Sequence, residues 1–259
     1  MRLWTSFLPS LNLIDETTDT AVVIDILRAT TVMTVACANG ASEITTTCDV
    51  QTARDLANAT TPRPLLCGER ACVPIRGFDC GNSPAEYSSS KVNGRHLVVT
   101  TTNGTKAIQA ASLAKEVILG SFLNQRAVAE SLDPNASIAL VCAGTDGRVS
   151  MEDVLFAGAL VSDFQSRSDH RDLPSLELND ESRIACQLWR SRFGPQTGEK
   201  AVTATDPTAL AACLAESHGG QNLIRAGFED DLLRCAQVDS ISVVSRRIAT
   251  RAEASIFGC

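Results

Sequence analysis

The chain has 259 residues, 44% of them hydrophobic and 20% charged, with a formal net charge of −7 and only 4% aromatics. An acidic balance argues against a nucleic-acid binder, which needs a basic patch, and so few aromatics leave little for stacking on bases or sugars. No apolar run approaches the roughly 20 residues of a membrane span, and the opening MRLWTSFLPSLNLIDET lacks the core and cleavage site of a secretion signal.

Residues 21–26, AVVIDI, read as a strand with one charge, Asp25. Near-continuous apolar character suits a parallel strand covered on both faces. An ionised Asp at its end needs a cation, either Arg28 three residues on or a metal ion. A turn at Leu27-Arg28 leads to an apolar helix that stops at Asn39-Gly40, with Thr30 and Thr31 bringing hydroxyls to an anion-receptive helix start. A strand at 42–47, a helix at 50–58 and a strand at 65–67 ending in Gly68-Glu69-Arg70 follow. Residues 71–90 are rich in Gly, Pro, Ser and Asn, and irregular loops of this length are often functional. Then come strands at 96–100, 116–119 and 137–142, with helices to 113, at 124–132 and at 151–165. Residues 168–180 read as a linker or exposed loop, with helices at 181–193, 207–217 and 230–236 and a last strand near 241–245.

The alternation predicts a three-layer α/β/α fold with a largely parallel or mixed sheet and helices on both faces. Residues 1–167 are the expected α/β core, carrying most motifs. Residues 168–259 are a mainly helical part with a final strand, packed on the same core. The ten cysteines include no C-x-x-C and mostly lie in apolar segments, as small buried hydrophobes of a reducing compartment, the cytoplasm.

Ligands of open α/β sheets bind at the carboxyl ends of strands, and four such ends carry unusual chemistry: Asp25 and Arg28, Glu69 and Arg70, Thr101-Thr102-Asn103-Gly104-Thr105, and Cys142 to Gly147. The Thr101–Thr105 turn, between strand and helix, can form an anion nest, although Asn-Gly is also an ordinary turn. Glu152 and Asp153 open a helix, where the dipole alone favours acids. With Asp25 and Glu69 they make four carboxylates able to gather beside an anion, the usual way to hold Mg²⁺. Cys142 and Arg148 show the C-x5-R spacing of cysteine-dependent phosphatases, but Val141 replaces the usual preceding His and Asp146 puts a negative charge in the cradle. His96, His170 and His218 do not cluster, and no zinc-protease or serine-hydrolase motif occurs.

Taken together, DILRAT (25–30), GER (68–70), GFDCGNSP (77–84), TTNGT (101–105), CAGT (142–145) and SMED (150–153) resemble the 2-phosphosulfolactate phosphatases, with weaker echoes at 217–227 and 230–235. Met151 stands where Leu is common, and Ala71-Cys72 follows GER. The resemblance implies a Mg²⁺-dependent acid phosphatase that releases sulfolactate and phosphate, a step towards coenzyme M in methanogens. On this reading Asp25, Glu69 and Glu152 hold Mg²⁺, with Asp153 on the metal or directly behind it. Thr102, Asn103, Gly104 and Thr105 hold the phosphate. Arg70, Asn82 and Ser83 help to bind the distal carboxylate or sulfonate, Arg76 being a further candidate cation, and the 71–90 loop sets specificity. Arg28 neutralises the transferring phosphoryl group, and Asp79 or Asp153 orients a water nucleophile. The alternatives are a non-catalytic sensor of a phosphorylated or sulfonated metabolite, or a cysteine-dependent phosphatase using Cys142 and Arg148. The expected partners are a small-molecule substrate and at most a second copy of the chain, a homodimer, with neither nucleic acid nor membrane.

Overall fold

The computed structural model describes residues 1–11, 14–168, 176–194, 205–251 and 254–259. In chain order the strands and helices are β1 (Arg2–Ser6), β2 (Thr20–Ile24), α1 (Ala29–Ala38), β3 (Glu43–Thr46), α2 (Val50–Ala59), β4 (Leu65–Arg70), β5 (Val73–Pro74), α3 (Ser89–Val92), β6 (His96–Thr100), α4 (Gly104–Ala110) and β7 (Glu116–Gly120). They continue with α5 (Gln125–Ser131), β8 (Ser137–Cys142), α6 (Met151–Ser168), β9 (Glu177–Leu178), α7 (Asp180–Phe193), α8 (Pro207–Glu216), α9 (His218–Arg225), α10 (Asp230–Cys235), β10 (Arg246–Arg251) and β11 (Ala254–Gly258).

The strands form one sheet in the order β5-β4-β6-β3-β11-β10-β7-β2-β8-β1-β9. One parallel group is β4-β6-β3 and another is β7-β2-β8-β1-β9. The hairpin β10–β11 joins them, antiparallel to β3 on one side and to β7 on the other.

Strand β2 shows why the sheet is covered on both faces. All five of its residues are buried. Because side chains alternate, Val22 and Ile24 enter a core with Phe122, Phe156, Leu160 and Trp189, packed under α5 to α10. Ala21 and Val23 enter a second core with Met33, Ile44, Leu97 and Ile108, under α1, α3 and α4. This is the expected three-layer arrangement. Helix starts are fixed by side-chain acceptors: Asp49 for α2, Asn179 for α7, Asp206 for α8 and Ser217 for α9 each take a backbone N–H. Among the described residues no helix is long and apolar enough to cross a membrane.

Several local expectations are corrected. Residues 241–245 carry no strand; the chain instead closes with β10 and β11, which the sequence reading did not mark. Strand β4 runs on through Gly68-Glu69-Arg70, and α9 forms despite its two glycines. Of the linker expected at 168–180, residues 169–175, with His170, lie outside the described residues, while 177–178 form β9. Cys37 and Cys259 are joined by a disulfide, so the expectation of buried free thiols holds for other cysteines, such as Cys67, Cys142 and Cys235.

Candidate active site

The carboxyl ends of β2 and β8, from one parallel group, and of β4 and β6, from the other, meet in a cavity of about 440 Å³. Asp25 and Arg28 follow β2, Glu69 and Cys72 sit at the end of β4, Thr101, Thr102 and Asn103 follow β6, and Thr145 and Asp146 follow β8. The long loop contributes Asn82, and α9 contributes Gly219, Asn222, Leu223 and Arg225.

Asp25 is buried at the turn into α1. Its Oδ1 accepts the Ala29 N–H at 3.0 Å, and its Oδ2 faces Gly104, where a Cβ would stand only 2.7 Å away. The Thr30 hydroxyl donates to backbone carbonyls of Asp25 and Gly120, and that of Thr31 to Ile26. They hold the turn together and are not free for an anion, contrary to the sequence expectation. The Leu27–Arg28 peptide is cis.

Arg28 is not paired with Asp25. Its guanidinium donates to Asp231 Oδ2 at 2.6 Å and to the Cys72 carbonyl at 3.2 Å, with Cζ 4.4 Å from the Phe228 ring centroid. Both charged side chains are 2% exposed, so their attraction is little screened. The second Asp231 oxygen accepts the Ser83 hydroxyl at 2.8 Å. Ser83 thus braces Asp231 and does not line the cavity. Asn82 does line it, with a buried Oδ1 that has no hydrogen-bond partner.

The four carboxylates differ in what they have left to offer. Glu69 accepts the N–H groups of Thr102 and Cys72, one on each oxygen, at 2.9 and 2.8 Å. Asp153 accepts those of Ile26 and Gly144, at 2.9 and 3.0 Å, stitching the ends of β2 and β8 together. Glu152 is buried just behind Gly219, and its Oε2 has no hydrogen-bond partner. Burial, reinforced by Glu69 and Glu152, pushes the Asp25 carboxyl up to about 7. Burial likewise raises Glu152, and burial with Glu152 and Asp25 nearby holds Asp153 well above the usual carboxyl range.

Among the described residues no group of three or more His, Cys, Asp or Glu side chains is disposed to hold a metal ion. Glu69 and Asp153 are the more heavily engaged carboxylates, each accepting a backbone amide on both oxygens. Two carboxylates remain, Asp25 and Glu152, the latter with an orphaned buried oxygen. Oxygen donors in that number fit Mg²⁺, which keeps several waters and takes one or two carboxylates plus substrate oxygens.

Other expected site residues are placed as follows. The Thr102 hydroxyl is buried without a partner and Asn103 lines the cavity. The Thr102 N–H goes to Glu69 and the Thr105 N–H to Thr101 Oγ1, so the amide nest is partly used. The Thr105 hydroxyl donates to the Thr101 carbonyl, and Gly104 is packed against Ala29 and Asp25. Arg70 does not line the cavity; its guanidinium donates to the carbonyls of Cys48 and Glu69 and to Thr100 Oγ1. Arg76 is exposed and also outside the lining. Asp79 is held elsewhere, accepting from Arg63 at 3.0 Å and from the Leu66 N–H at 2.8 Å. Cys142 is fully buried and burial drives its thiol well above the usual range, while Arg148 is exposed, so this pair lacks the thiolate that a cysteine mechanism needs. The sequence marks 217–227 and 230–235 only as weaker echoes of the family and assigns no role to Asp231 or to the inward face of α9, although the 3-4-7 spacing of Gly219, Asn222, Leu223 and Ala226 is a helical-face signal.

The family model for 2-phosphosulpholactate phosphatase matches residues 7–248. A relative from Symbiobacterium thermophilum, named probable 2-phosphosulfolactate phosphatase, is 39% identical over 226 residues, covering 86% of this chain and 89% of its own. Relatives bearing the same name from Deinococcus radiodurans (38%, covering 94% of this chain and 92% of its own) and Thermotoga maritima (37%, covering 87% of each) are similar to a like extent.

Proposed function

The chain belongs to the 2-phosphosulpholactate phosphatase family, and from that premise we propose that it is a Mg²⁺-dependent phosphatase of small anionic 2-phospho acids, with 2-phosphosulfolactate the leading substrate. The observation that carries this reading is the meeting of Asp25, Arg28 and the Thr101–Asn103 turn in one cavity, with Glu152 buried behind it and its Oε2 lacking a hydrogen-bond partner. A phosphomonoester makes few covalent demands; hydrolysis needs positioning and neutralisation of charge on the phosphoryl oxygens.

Asp25 and Glu152 would hold Mg²⁺. Bound there, the ion supplies charge neutralisation and polarises the phosphoryl oxygens. The Thr102 hydroxyl and the Asn103 amide are the polar groups placed to hold phosphate oxygens. Arg28 reaches the cavity already oriented by Asp231, the Cys72 carbonyl and the Phe228 ring, and keeps further N–H groups for the substrate. Water adds to phosphorus, the bond from phosphorus to the C2 oxygen breaks, and the departing alkoxide takes a proton, giving the 2-hydroxy acid and phosphate. Asp25, which lines the cavity, would also orient that water, whereas Asp79 and Asp153 lie outside the lining.

The test is phosphate release from 2-phosphosulfolactate and 2-phospholactate with and without EDTA. Turnover lost in EDTA, restored by Mg²⁺ and indifferent to iodoacetamide is expected. Failure to release phosphate from any 2-phospho acid would overturn the reading in favour of a sensor.

A further inference from the structure

We propose that Arg225 is the specificity-determining residue that holds the substrate's second strong anion, the sulfonate, away from the reacting phosphate. This rests on the phosphatase reading for its substrate and on the cavity wall for its geometry.

Two cations line the cavity among the described residues, Arg28 and Arg225. The charge of Arg28 is matched by buried Asp231. Arg225 makes no ion pair among the described residues; its guanidinium donates to the neutral amide oxygen of Asn222, a neighbour on the same helix that also lines the cavity. It is therefore a solvent-exposed guanidinium at the cavity wall that forms no ion pair among the described residues and is oriented by a neutral partner. The loop cations cannot take this part: Arg70 is committed to Cys48, Glu69 and Thr100, and Arg76 lies outside the lining.

Position along α9 separates the two ends of the substrate. Gly219, near the helix start, abuts Glu152: a Cβ there would stand 2.1 Å from Glu152 Oε1. The Arg225 backbone comes six residues later, about 9 Å further along the axis, and its guanidinium reaches back to Asn222. The helix thus carries a guanidinium about one turn beyond the carboxylate end of the cavity, where the phosphoryl group reacts. A sulfonate is a permanent anion with three acceptor oxygens, and a fork of N–H groups on a weakly hydrated cation suits it better than an ammonium would. A substrate lacking that group leaves Arg225 unused.

The test pairs binding with turnover. Sulfolactate affinity is measured by calorimetry, in the presence of Mg²⁺, for the wild type, Arg225→Ala and Arg225→Lys, with melting temperatures as the control for folding. Arg225→Ala should weaken sulfolactate binding about 10- to 100-fold, and Arg225→Lys should recover part of it. In turnover, Arg225→Ala should lose at least about tenfold more kcat/KM on 2-phosphosulfolactate than on 2-phospholactate. Unchanged sulfolactate affinity, no sulfolactate binding by the wild type, or equal losses on both substrates would overturn the assignment. If the wild type hydrolyses neither substrate while Arg225→Ala still loses sulfolactate, the assignment stands and the phosphatase reading falls.

Discussion

Raising the pH in the absence of Mg²⁺ should destabilise this protein, and the size of the effect follows from Asp25. Its carboxyl is pushed from an ordinary 3.8 up to about 7 by burial, with Glu69 and Glu152 adding repulsion. A carboxyl raised on folding binds more protons in the folded than in the unfolded state between those two values. Stability is therefore full at the acid end and falls as pH rises through the window, levelling off above about 7. Linkage for this one group gives a loss of about 2.5 kcal/mol between pH 5 and pH 8, or about 5–10 °C in melting temperature for a chain of this size. Glu152 and Asp153, both raised, act in the same direction. Asp15, Asp19 and Asp49, lowered by hydrogen bonds from Thr17, Lys115 and Thr52, are ionised in both states by pH 5 and add little. His96, lowered by burial, works the other way as pH rises towards 6.5, so the quantity to read is the difference between wild type and Asp25→Asn. On the proposed reading Mg²⁺ would bind the ionised carboxylates, so at 100 times its dissociation constant it should return about 2.7 kcal/mol at pH 8 and much less at pH 5. Thermal melts in EDTA and in Mg²⁺ at both pH values check this. A wild type whose stability in EDTA falls no more than that of Asp25→Asn, or a Mg²⁺ effect equal at both pH values, would refute it.

Arg28→Lys should lower kcat/KM by about 2–4 kcal/mol of transition-state stabilisation, because an ammonium cannot hold Asp231 and a phosphoryl group at once; steady-state kinetics check this, and a loss below threefold would count against it. Asp231→Ala leaves the Arg28 cation buried without its counter-charge and should cost about 3–5 kcal/mol in urea unfolding. Gly219→Ala drives a methyl group into the Glu152 carboxylate and should raise the Mg²⁺ concentration for half-maximal activity at least about tenfold, read from a Mg²⁺ titration. Cys142→Ala should keep kcat within about twofold per folded molecule, since a buried, high-pKa thiol is no nucleophile; abolished turnover with retained fold would revive the cysteine mechanism.

The four chemically unusual strand ends were legible because each follows a short apolar run, and α/β geometry sends carboxyl ends towards ligands. What could not be read was how each polar group is spent. Asp79 sits in a conspicuous motif but serves Arg63 and the Leu66 amide, and Asp153 ties two strand ends. Asp231 looks like an ordinary acid at a helix start, and its partner Arg28 lies 203 residues away, so no local pattern links them. Strand β10 escaped detection because four of its six residues are exposed, leaving no apolar alternation. Helix α9 was hidden by Gly219 and Gly220, which weaken a helical reading although Gly219 is needed where α9 passes Glu152.

The hairpin β10–β11 carries a consequence for how the enzyme is made in the cell. Its residues leave the ribosome after those of β3 and β7, the two strands that it bridges. Until then the nascent chain holds two half-sheets with open edges, and Ser255 must pair with Thr46 across 209 residues of already synthesised chain. Such distant pairing is slow, and exposed edges during the wait invite association with other chains. Asp25, after β2, and the Thr101–Asn103 turn, after β6, belong to opposite half-sheets, so on the proposed reading catalytic competence should arrive as one late event. Chaperone dependence and pulse-labelled appearance of activity should therefore track closure of this seam.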